Sequence, residues 1–235
     1  MFLVTASLFI TSCRTPKKQD SLPAQLTEQQ KAAGCKLLFD GQTLNGWRIY
    51  KNKKNDSWEV KDGTLHCKSF EDRTEKNRCD LLTNDQYGNF ELTLEWKISP
   101  QGNSGIIYRA TEEFEQPYWS GPEYQILDDV GYPGKIEDWQ KTAANYAMNV
   151  AIGGTLRPVG EWNSAKIVAN GNHVEHWLNG VKVVEYELGS DDWKKRKAAG
   201  KWKDAKGYGI APKGYIDLQD HGNEAWFRNI VIREL

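Results

Sequence analysis

The feature that most constrains the fold of this chain is a strict alternation of apolar and polar residues over positions 90–98. The apolar positions are Phe90, Leu92, Leu94, Trp96 and Ile98. Successive side chains of a β-strand point to opposite faces, so this pattern predicts a strand with one buried and one exposed face. Such a strand must pack its apolar face against a second layer.

A β-hairpin is predicted around Asn179 and Gly180, which separate two strand-like segments at 173–178 and 181–187. Both turn residues tolerate positive φ, as the tightest hairpin turns require. Other short apolar runs are bounded by Gly, Asn and Asp, which is typical of antiparallel strands. They predict strands at 57–61, 64–68, 79–83, 104–110, 122–128, 145–150, 162–169, 214–219 and 225–233.

Helix is predicted in only two places. One or two turns are expected within 135–143, and Ser190 is expected to cap a short basic helix that ends at Ala199. About a dozen strands with so little helix indicate an all-β fold, either two stacked antiparallel sheets or a closed barrel.

The N-terminal residues indicate where in the cell the protein is located. Residues 1–10 are apolar and uncharged but far too short to span a bilayer, as in the apolar region of a secretory signal. The segment that ends in Ser12 and Cys13 resembles the lipobox of bacterial lipoproteins, in which the cysteine is lipidated.

We therefore expect a signal peptide over 1–12, a polar tether over 13–34 and a single β-sandwich domain over 35–235. The protein would then be lipid-anchored in the bacterial cell envelope, facing the periplasm or at the outer membrane. The alternative is an ordinary signal followed by a chance cysteine.

Charge and motifs narrow the class of ligand. The chain has 31 Lys and Arg against 32 Asp and Glu, a formal net charge of -1. It therefore lacks the excess of cations that nucleic acids or an anionic membrane surface would select, which leaves the lipid as the expected membrane contact. Ten Trp and ten Tyr must fill a core or line a binding face. Because the glycine-rich phosphate-binding motifs are missing, we do not expect a nicotinamide cofactor.

The cysteines leave two interpretations open. Cys67 ends one predicted strand and Cys79 begins the next, so a disulfide could close the polar loop between them. The alternative is that the cysteines other than Cys13 are buried or reduced thiols. The spacing of the cysteines and histidines does not support a structural zinc site.

Seven segments in order resemble the 3-keto-disaccharide hydrolase domain family, formerly a domain of unknown function. They are LFDGQTLNGW (38–47), WEVKDGTL (58–65), NFELTLEWKI (89–98), GNSGIIYR (102–109), GPEYQILD (121–128), HWLNGVKVVEYE (176–187) and GYIDLQDHG followed by WFRNIVIREL (214–235). The resemblance implies the jelly-roll sandwich of the concanavalin A-like lectin/glucanase superfamily, with a site on its concave sheet. It also implies cleavage of glycosides, such as 3-keto-disaccharides, whose sugar a separate oxidoreductase has first oxidised to a ketone at C3.

Strand parity places Glu123 and Gln125 on one face of their strand and Asp128 on the other. This strand therefore lacks the two facing carboxylates of ordinary glycosidases. A keto sugar does not need them, because the ketone at C3 acidifies the proton at C2. One base can remove that proton, the group at C1 leaves by elimination, and addition of water gives net hydrolysis. The site then needs a base, a cation or donor at the C3 oxygen, and a proton source for the leaving group.

His221 is expected to be the base, because an imidazole titrates near neutral pH and its strand turns Ile216 and Leu218 to the opposite face. The alternative is a hydrogen-bonded loop histidine. Glu123 is expected to be a base, a proton donor or, with His221, a ligand of a divalent metal ion, and its alternative is a structural carboxylate. Arg109, on the parity of Ile107, is expected to stabilise the enolate, and its alternative is a salt bridge at the sheet end.

Residues expected to contact the sugar are Gln125, Gln219, Tyr118, Trp119 and Trp139. The three aromatic residues lie in long connections, where they could stack on a sugar or simply pack a loop. His176 is expected to be a packed histidine rather than a catalyst.

Two other functions stay open at this point. One is a non-catalytic carbohydrate-binding module, because lectins share this fold. The other is an ordinary glycosidase whose carboxylates come from different strands. Convergence of Glu123, His221, Gln219 and Arg109 in one pocket would favour the keto-glycoside enzyme over a shallow lectin groove.

Overall fold

A computed structural model describes residues 24–235 and contains two antiparallel sheets. The strands are β1 (Lys36–Leu37), β2 (Trp47–Ile49), β3 (Trp58–Lys61), β4 (Thr64–Cys67), β5 (Leu81–Tyr87), β6 (Phe90–Ile98), β7 (Asn103–Ala110), β8 (Glu123–Leu127), β9 (Asn163–Asn170), β10 (His173–Leu178), β11 (Val181–Glu187), β12 (Gly214–Leu218) and β13 (Ala225–Glu234). The α-helices are α1 (Glu28–Ala32) and α2 (Asp191–Ala199).

The larger sheet has the order β11-β10-β9-β6-β13-β4-β3, with β1 also paired to β13. The smaller sheet has the order β2-β5-β12-β7-β8. The alternating segment forms β6 in the middle of the larger sheet, and its apolar residues are buried at every second position. The predicted all-β class is therefore confirmed, as a two-sheet antiparallel jelly-roll sandwich whose core lies between the sheets.

The hairpin and the second helix form as predicted. Asn179 and Gly180 adopt φ values of 48° and 84° between β10 and β11. Ser190 caps α2 by accepting a hydrogen bond from the backbone N–H of Trp193. Within 135–143 the helix is one short 3₁₀ turn.

Other local predictions differ from the structure. Residues 145–150, predicted as a strand, form turns in which Asn145 makes isolated bridges to Tyr124 and Asn149. The short strands β1 and β2 were not predicted. The helix α1 was also missed, inside the segment predicted as a tether. Thr27 and Gln30 stabilise it through a reciprocal capping box.

The predictions for the N-terminus lie outside the described residues. These are the signal peptide over 1–12, lipidation of Cys13 and the first part of the tether. In the part of the chain from residue 24 onward, no helix has the length and apolarity needed to cross a membrane.

A column of four stacked aromatic rings supports the connection that follows α2. Tyr186 stacks on Trp193 at a centroid distance of 5.4 Å, Trp193 on Tyr208 at 5.4 Å, and Tyr208 on Trp202 at 4.5 Å. The indole N–H of Trp202 donates to the carbonyl of Tyr146 at 3.0 Å. The column fixes the position of residue 201 beside the smaller sheet.

Candidate functional site

A cavity of about 330 Å³ lies over the face of the smaller sheet that is turned away from the core. Its lining residues come from the ends of β5 and β12, from β7 and β8, and from three loops. They are Arg78, Asp80, Asn103, Gln116, Tyr118, Glu123, Gln125, Tyr146, Lys201, Gln219, Asp220 and His221. The sequence predictions for Glu123, Gln125, Gln219, His221 and Tyr118 therefore meet in one cavity.

Glu123 lies on the cavity floor because its position on β8 directs the side chain away from the core and because Gly105 leaves space for it. Its neighbour Tyr124 is fully buried in the core, so Glu123 faces the opposite way. Gly105, on the adjacent strand, leaves the necessary room, because a Cβ atom there would lie 2.4 Å from Oε1 of Glu123. Burial raises the pKa of Glu123 to about 8. The positive charge of Lys201 lowers this pKa, and the negative charge of Asp80 raises it further. The carboxyl group is therefore mostly protonated at pH 7.

Asp80 is a second carboxyl group in the cavity. It precedes β5, and its Oδ1 accepts a 2.8 Å hydrogen bond from the backbone N–H of Asp220. Burial raises the pKa of Asp80 to about 7, although that hydrogen bond opposes the shift. Within the described chain, no donor binds its Oδ2. Asp80 is therefore partly ionised at neutral pH and has one oxygen available to a ligand.

His221 lies at the mouth of the cavity beside Arg78. The guanidinium Nη1 of Arg78 donates to Nε2 of His221 at 3.3 Å, which makes Nε2 the acceptor. Burial, together with the positive charge of Arg78, lowers the pKa of His221 to about 4. The imidazole is therefore neutral at pH 7, as a base must be, but its acceptor nitrogen is already occupied.

Lys201 supplies the second cation at the mouth. Its ammonium lies 4.4 Å from the ring centroid of Tyr146, 4.8 Å from that of Trp202 and 5.8 Å from that of Tyr118. Desolvation lowers the pKa of Lys201 from its ordinary value, while Glu123 raises it. Among residues 24–235, no oxygen accepts a hydrogen bond or salt bridge from this ammonium.

Three buried amide side chains complete the floor. Asn103 and Gln219 make no side-chain hydrogen bond to any described residue, and Gln125 uses only its Oε1. A buried amide without a partner is costly, so these groups are suited to a ligand that is rich in hydroxyl or carbonyl oxygens.

Asp220 connects the cavity lining to the polar loop between β4 and β5. Its carboxylate binds the guanidinium of Arg73 through two hydrogen bonds, and both side chains are buried. The same carboxylate accepts from the backbone N–H of Cys79 at 2.8 Å and from the thiol of Cys67 at 3.5 Å.

The predicted disulfide between Cys67 and Cys79 is therefore wrong for this structure, in which both are free thiols. The ion pair between Asp220 and Arg73, and not a disulfide, holds the loop between β4 and β5 in place.

Arg109 does not reach the cavity, so its predicted role at the enolate is wrong. It is buried, and its guanidinium donates to the carbonyls of Gly88 and Gly171, each at 2.9 Å, and to Oδ1 of Asn89 at 3.4 Å. The salt bridge that was the alternative is not among these contacts.

The parity argument for Arg109 fails because β7 is irregular at this point. Arg109 has a φ of 51°, and the pairing of β7 with β12 shifts register between Tyr215 and Asp217. A bulge of this kind sends the side chain to the other face.

Two of the three aromatic candidates also lie outside the cavity lining. Trp119 packs on Tyr118 and Trp202, and Trp139 packs edge-on against Tyr146 at 5.6 Å. Only Tyr118 of the three lines the cavity.

His176 is a packed histidine, as expected. It donates from Nδ1 to the carbonyl of Ala143 at 2.9 Å and accepts at Nε2 from the hydroxyl of Tyr108 at 2.8 Å. Burial lowers its pKa to about 4.

Sequence reasoning missed Arg78, Asp80, Asn103, Gln116, Tyr146, Lys201 and Asp220. Asp217, which pairs with Ile107 in the smaller sheet, is fully buried, and neither of its oxygens has a hydrogen-bond partner in the described chain. Burial, with Asp80 and Glu123 nearby, raises the pKa of Asp217 well above its usual range.

Glu123 and His221, the residues proposed as metal ligands, do not belong to a cluster of three such ligands in the described chain. Among the residues that the structure describes, the cluster with three ligand atoms within 4.8 Å of one another is His173, Glu175 and Glu185 on the β10–β11 hairpin. Glu175 and Glu185 there already bind Lys182.

Comparisons with known proteins agree with this architecture. The family model of the 3-keto-alpha-glucoside-1,2-lyase-like domain matches residues 34–233. A 3-keto-disaccharide hydrolase of Bacteroides thetaiotaomicron is 36% identical over 231 residues, covering 87% of this chain and 79% of the relative. The crystal structure of a candidate glycosyl hydrolase from Parabacteroides distasonis has a TM-score of 0.83 at 40% identity, covering 91% of this chain and 99% of that one. A Bacillus subtilis protein with a galectin-like fold has a TM-score of 0.51 at 14% identity, covering 81% and 90%, and supports the fold alone.

Proposed function

Because the chain belongs to the 3-keto-alpha-glucoside-1,2-lyase-like domain family, we propose that it cleaves glycosides whose sugar carries a ketone at C3. The relatives in Bacteroides thetaiotaomicron and Parabacteroides distasonis support a glycoside hydrolase. We propose, beyond this, that the substrate carries a ketone at C3 and that it is cleaved by elimination. The mechanism removes the C2 proton, expels the C1 group and adds water to the resulting double bond.

The proposal rests mainly on the floor of the cavity. Buried amides of Asn103, Gln125 and Gln219 offer hydrogen bonds that no described residue takes, beside two carboxyl groups with different protonation states. A volume of about 330 Å³ suits one sugar ring with part of its leaving group. A non-catalytic module would need the amides but not carboxyl groups poised for proton transfer.

Glu123 is the proton donor in this mechanism. It is protonated at pH 7, buried and directed into the cavity, so it can transfer its proton to the oxygen that leaves C1. Two titratable groups whose pKa values are driven apart by their environments are the usual basis for dividing acid and base roles.

Asp80 is the group best matched to remove the C2 proton. Its pKa of about 7 lies near the working pH, and its Oδ2 is unoccupied by the described chain. His221 is the alternative base, but its Nε2 accepts from Arg78 and its pKa of about 4 makes it weakly basic. Amide N–H groups of the floor can donate to the C3 oxygen and so stabilise the enolate.

Two features of the cellular context are part of the proposal. A separate oxidoreductase must supply the ketone, because the chain has no nucleotide-binding motif. Lipidation at Cys13 would place the enzyme in the cell envelope, and Cys13→Ala should then release it from membranes.

A second candidate is an ordinary glycosidase, favoured by one observation. Asp80, which precedes β5, and Glu123, on β8, come from different parts of the chain yet line the same cavity, as the paired acids of such enzymes do.

One experiment separates the two. Purified protein is given a disaccharide and its 3-keto derivative, and product release is measured for wild type and Glu123→Gln. Release from the ketone alone, lost in Glu123→Gln, supports the proposal. Equal release from both substrates supports the ordinary glycosidase.

A further inference from the structure

The mouth of the cavity carries two exposed cations that form no salt bridge with any of residues 24–235. Arg78 contacts His221, and the ammonium of Lys201 lies against aromatic rings. By contrast, Arg48 pairs with Glu112 at 2.7 Å and Arg73 pairs with Asp220. The two unpaired cations face the same opening.

A count of formal charges in the cavity lining gives the wrong sign for the net charge at its mouth. Asp80, Glu123 and Asp220 outnumber Arg78 and Lys201, which suggests a negative site. The charge of Asp220 is neutralised by Arg73. Burial keeps Glu123 mostly protonated and Asp80 partly protonated at pH 7. The cavity is therefore net positive at its mouth.

The depth of each group decides which part of a substrate meets these cations. Glu123 and Gln125 are buried on the floor, where the keto ring must lie for its C1 oxygen to reach the proton donor. Arg78 and Lys201 are exposed at the rim. The leaving group, which extends from C1 towards solvent, is therefore the part of the substrate that meets these cations.

We infer that the mouth selects 3-keto-glycosides whose leaving group carries an anionic substituent, such as a carboxylate, sulfate or phosphate. This inference rests on the proposed function. Each exposed ion pair contributes about 0.2–1 kcal/mol. Two pairs therefore give about a 2- to 30-fold preference in kcat/KM over a neutral leaving group of the same size.

The test uses two 3-keto disaccharides that differ at one carbon. In one the leaving group is an alditol, and in the other it is the corresponding aldonate, which has a carboxylate where the alditol has a hydroxymethyl group. The ratio of kcat/KM for the aldonate to that for the alditol is measured for wild type, Arg78→Met and Lys201→Met. Lys195→Met, on the exposed side of α2, is the matched control.

The wild-type ratio should be above 1 at low salt and fall towards 1 in 1 M NaCl, where the screening length is about 3 Å. Arg78→Met and Lys201→Met should each lower the ratio, and Lys195→Met should not. Because both substrates share the same chemistry at C1 to C3, the ratio is insensitive to changes in the catalytic step.

A wild-type ratio of 1 or less, or a ratio that neither cavity variant changes, would overturn the inference while leaving the proposed function intact. If wild type cleaves neither 3-keto disaccharide, the proposed function itself fails. In that case binding of the unoxidised aldonate and alditol disaccharides, measured by calorimetry, still tests the positive mouth. Equal affinities would overturn it.

Discussion

Replacing Glu123 by Gln should abolish activity and stabilise the protein. The amide keeps the shape of the side chain but can neither ionise nor donate a labile proton to the leaving group. The structure raises the pKa of Glu123 from its ordinary value of 4.5 to about 8. Between these values the folded protein holds a proton that the unfolded chain releases, so stability falls as pH rises from 4.5 to 8.

The size of the effect follows from the interval between 4.5 and pH 7. At about 1.36 kcal/mol per pH unit, keeping this carboxyl protonated costs about 3 kcal/mol at pH 7. Gln avoids that cost. For a domain of this size the gain corresponds to roughly 6–12 °C in Tm.

The assay is denaturant unfolding of wild type and Glu123→Gln at several pH values from 5 to 9, with Glu113→Gln as an exposed control. The advantage of Glu123→Gln should grow from pH 5 to 8 and then level off, while Glu113→Gln should stay within about 0.5 kcal/mol of wild type. A variant that is no more stable than wild type at pH 7, with a difference independent of pH, would refute the protonated state of Glu123 and with it the donor role.

Four further outcomes are expected. The pH profile of kcat/KM should be a narrow bell with apparent pKa values of about 7 and 8, because Asp80 must be ionised and Glu123 protonated; a flat profile from pH 6 to 9 would contradict both assignments. Asp80→Asn should lower kcat by about 10² to 10⁴-fold, and a larger loss in His221→Asn, measured in parallel, would make His221 the base. Gly105→Ala should lower kcat by about 10²-fold although it replaces no titrating group, because its Cβ displaces Glu123, and unchanged kinetics would show that Glu123 keeps its position. Arg109→Lys should destabilise the fold by about 1–3 kcal/mol in urea unfolding yet retain kcat, and a selective loss of kcat would return Arg109 to the site.

The parts of the fold that sequence could predict are those with a regular period. The alternation in β6 and the Asn-Gly turn between β10 and β11 depend on local geometry, so their patterns are sufficient. The shared face of Glu123 and Gln125 was predictable for the same reason, because β8 is a regular strand.

Parity fails wherever a strand is irregular, as Arg109 demonstrates. Its positive φ lies at a register shift, and no residue type in the sequence marks this position as a bulge. The strand predicted at 145–150 failed for a related reason. Its apolar residues pack as turns against β8 rather than as a ladder, with Asn145 bridging Tyr124.

The residues that complete the cavity could be predicted least. Lys201 reaches it because a stack of aromatic rings from β11, α2 and the following loop fixes its position, and such long-range packing has no periodic signal. Arg78 and Asp80 lie at the end of the loop between β4 and β5, which the ion pair of Arg73 and Asp220 holds in place. The one available signal was that Asp80 lies opposite in parity to the core residue Leu81, which places it on the same side of β5 as the cavity.

The most direct test of the mechanism follows the hydrogen at C2 during turnover. A 3-keto disaccharide and its unoxidised parent are incubated with wild type and with Asp80→Asn in D₂O, and the products are analysed by NMR. The mechanism predicts that only the 3-keto substrate is cleaved and that each product molecule acquires deuterium at C2, faster than in the enzyme-free control and far faster than with Asp80→Asn. Cleavage of the unoxidised disaccharide at a comparable rate, or 3-keto product that retains its original C2 hydrogen, would contradict elimination across C1 and C2.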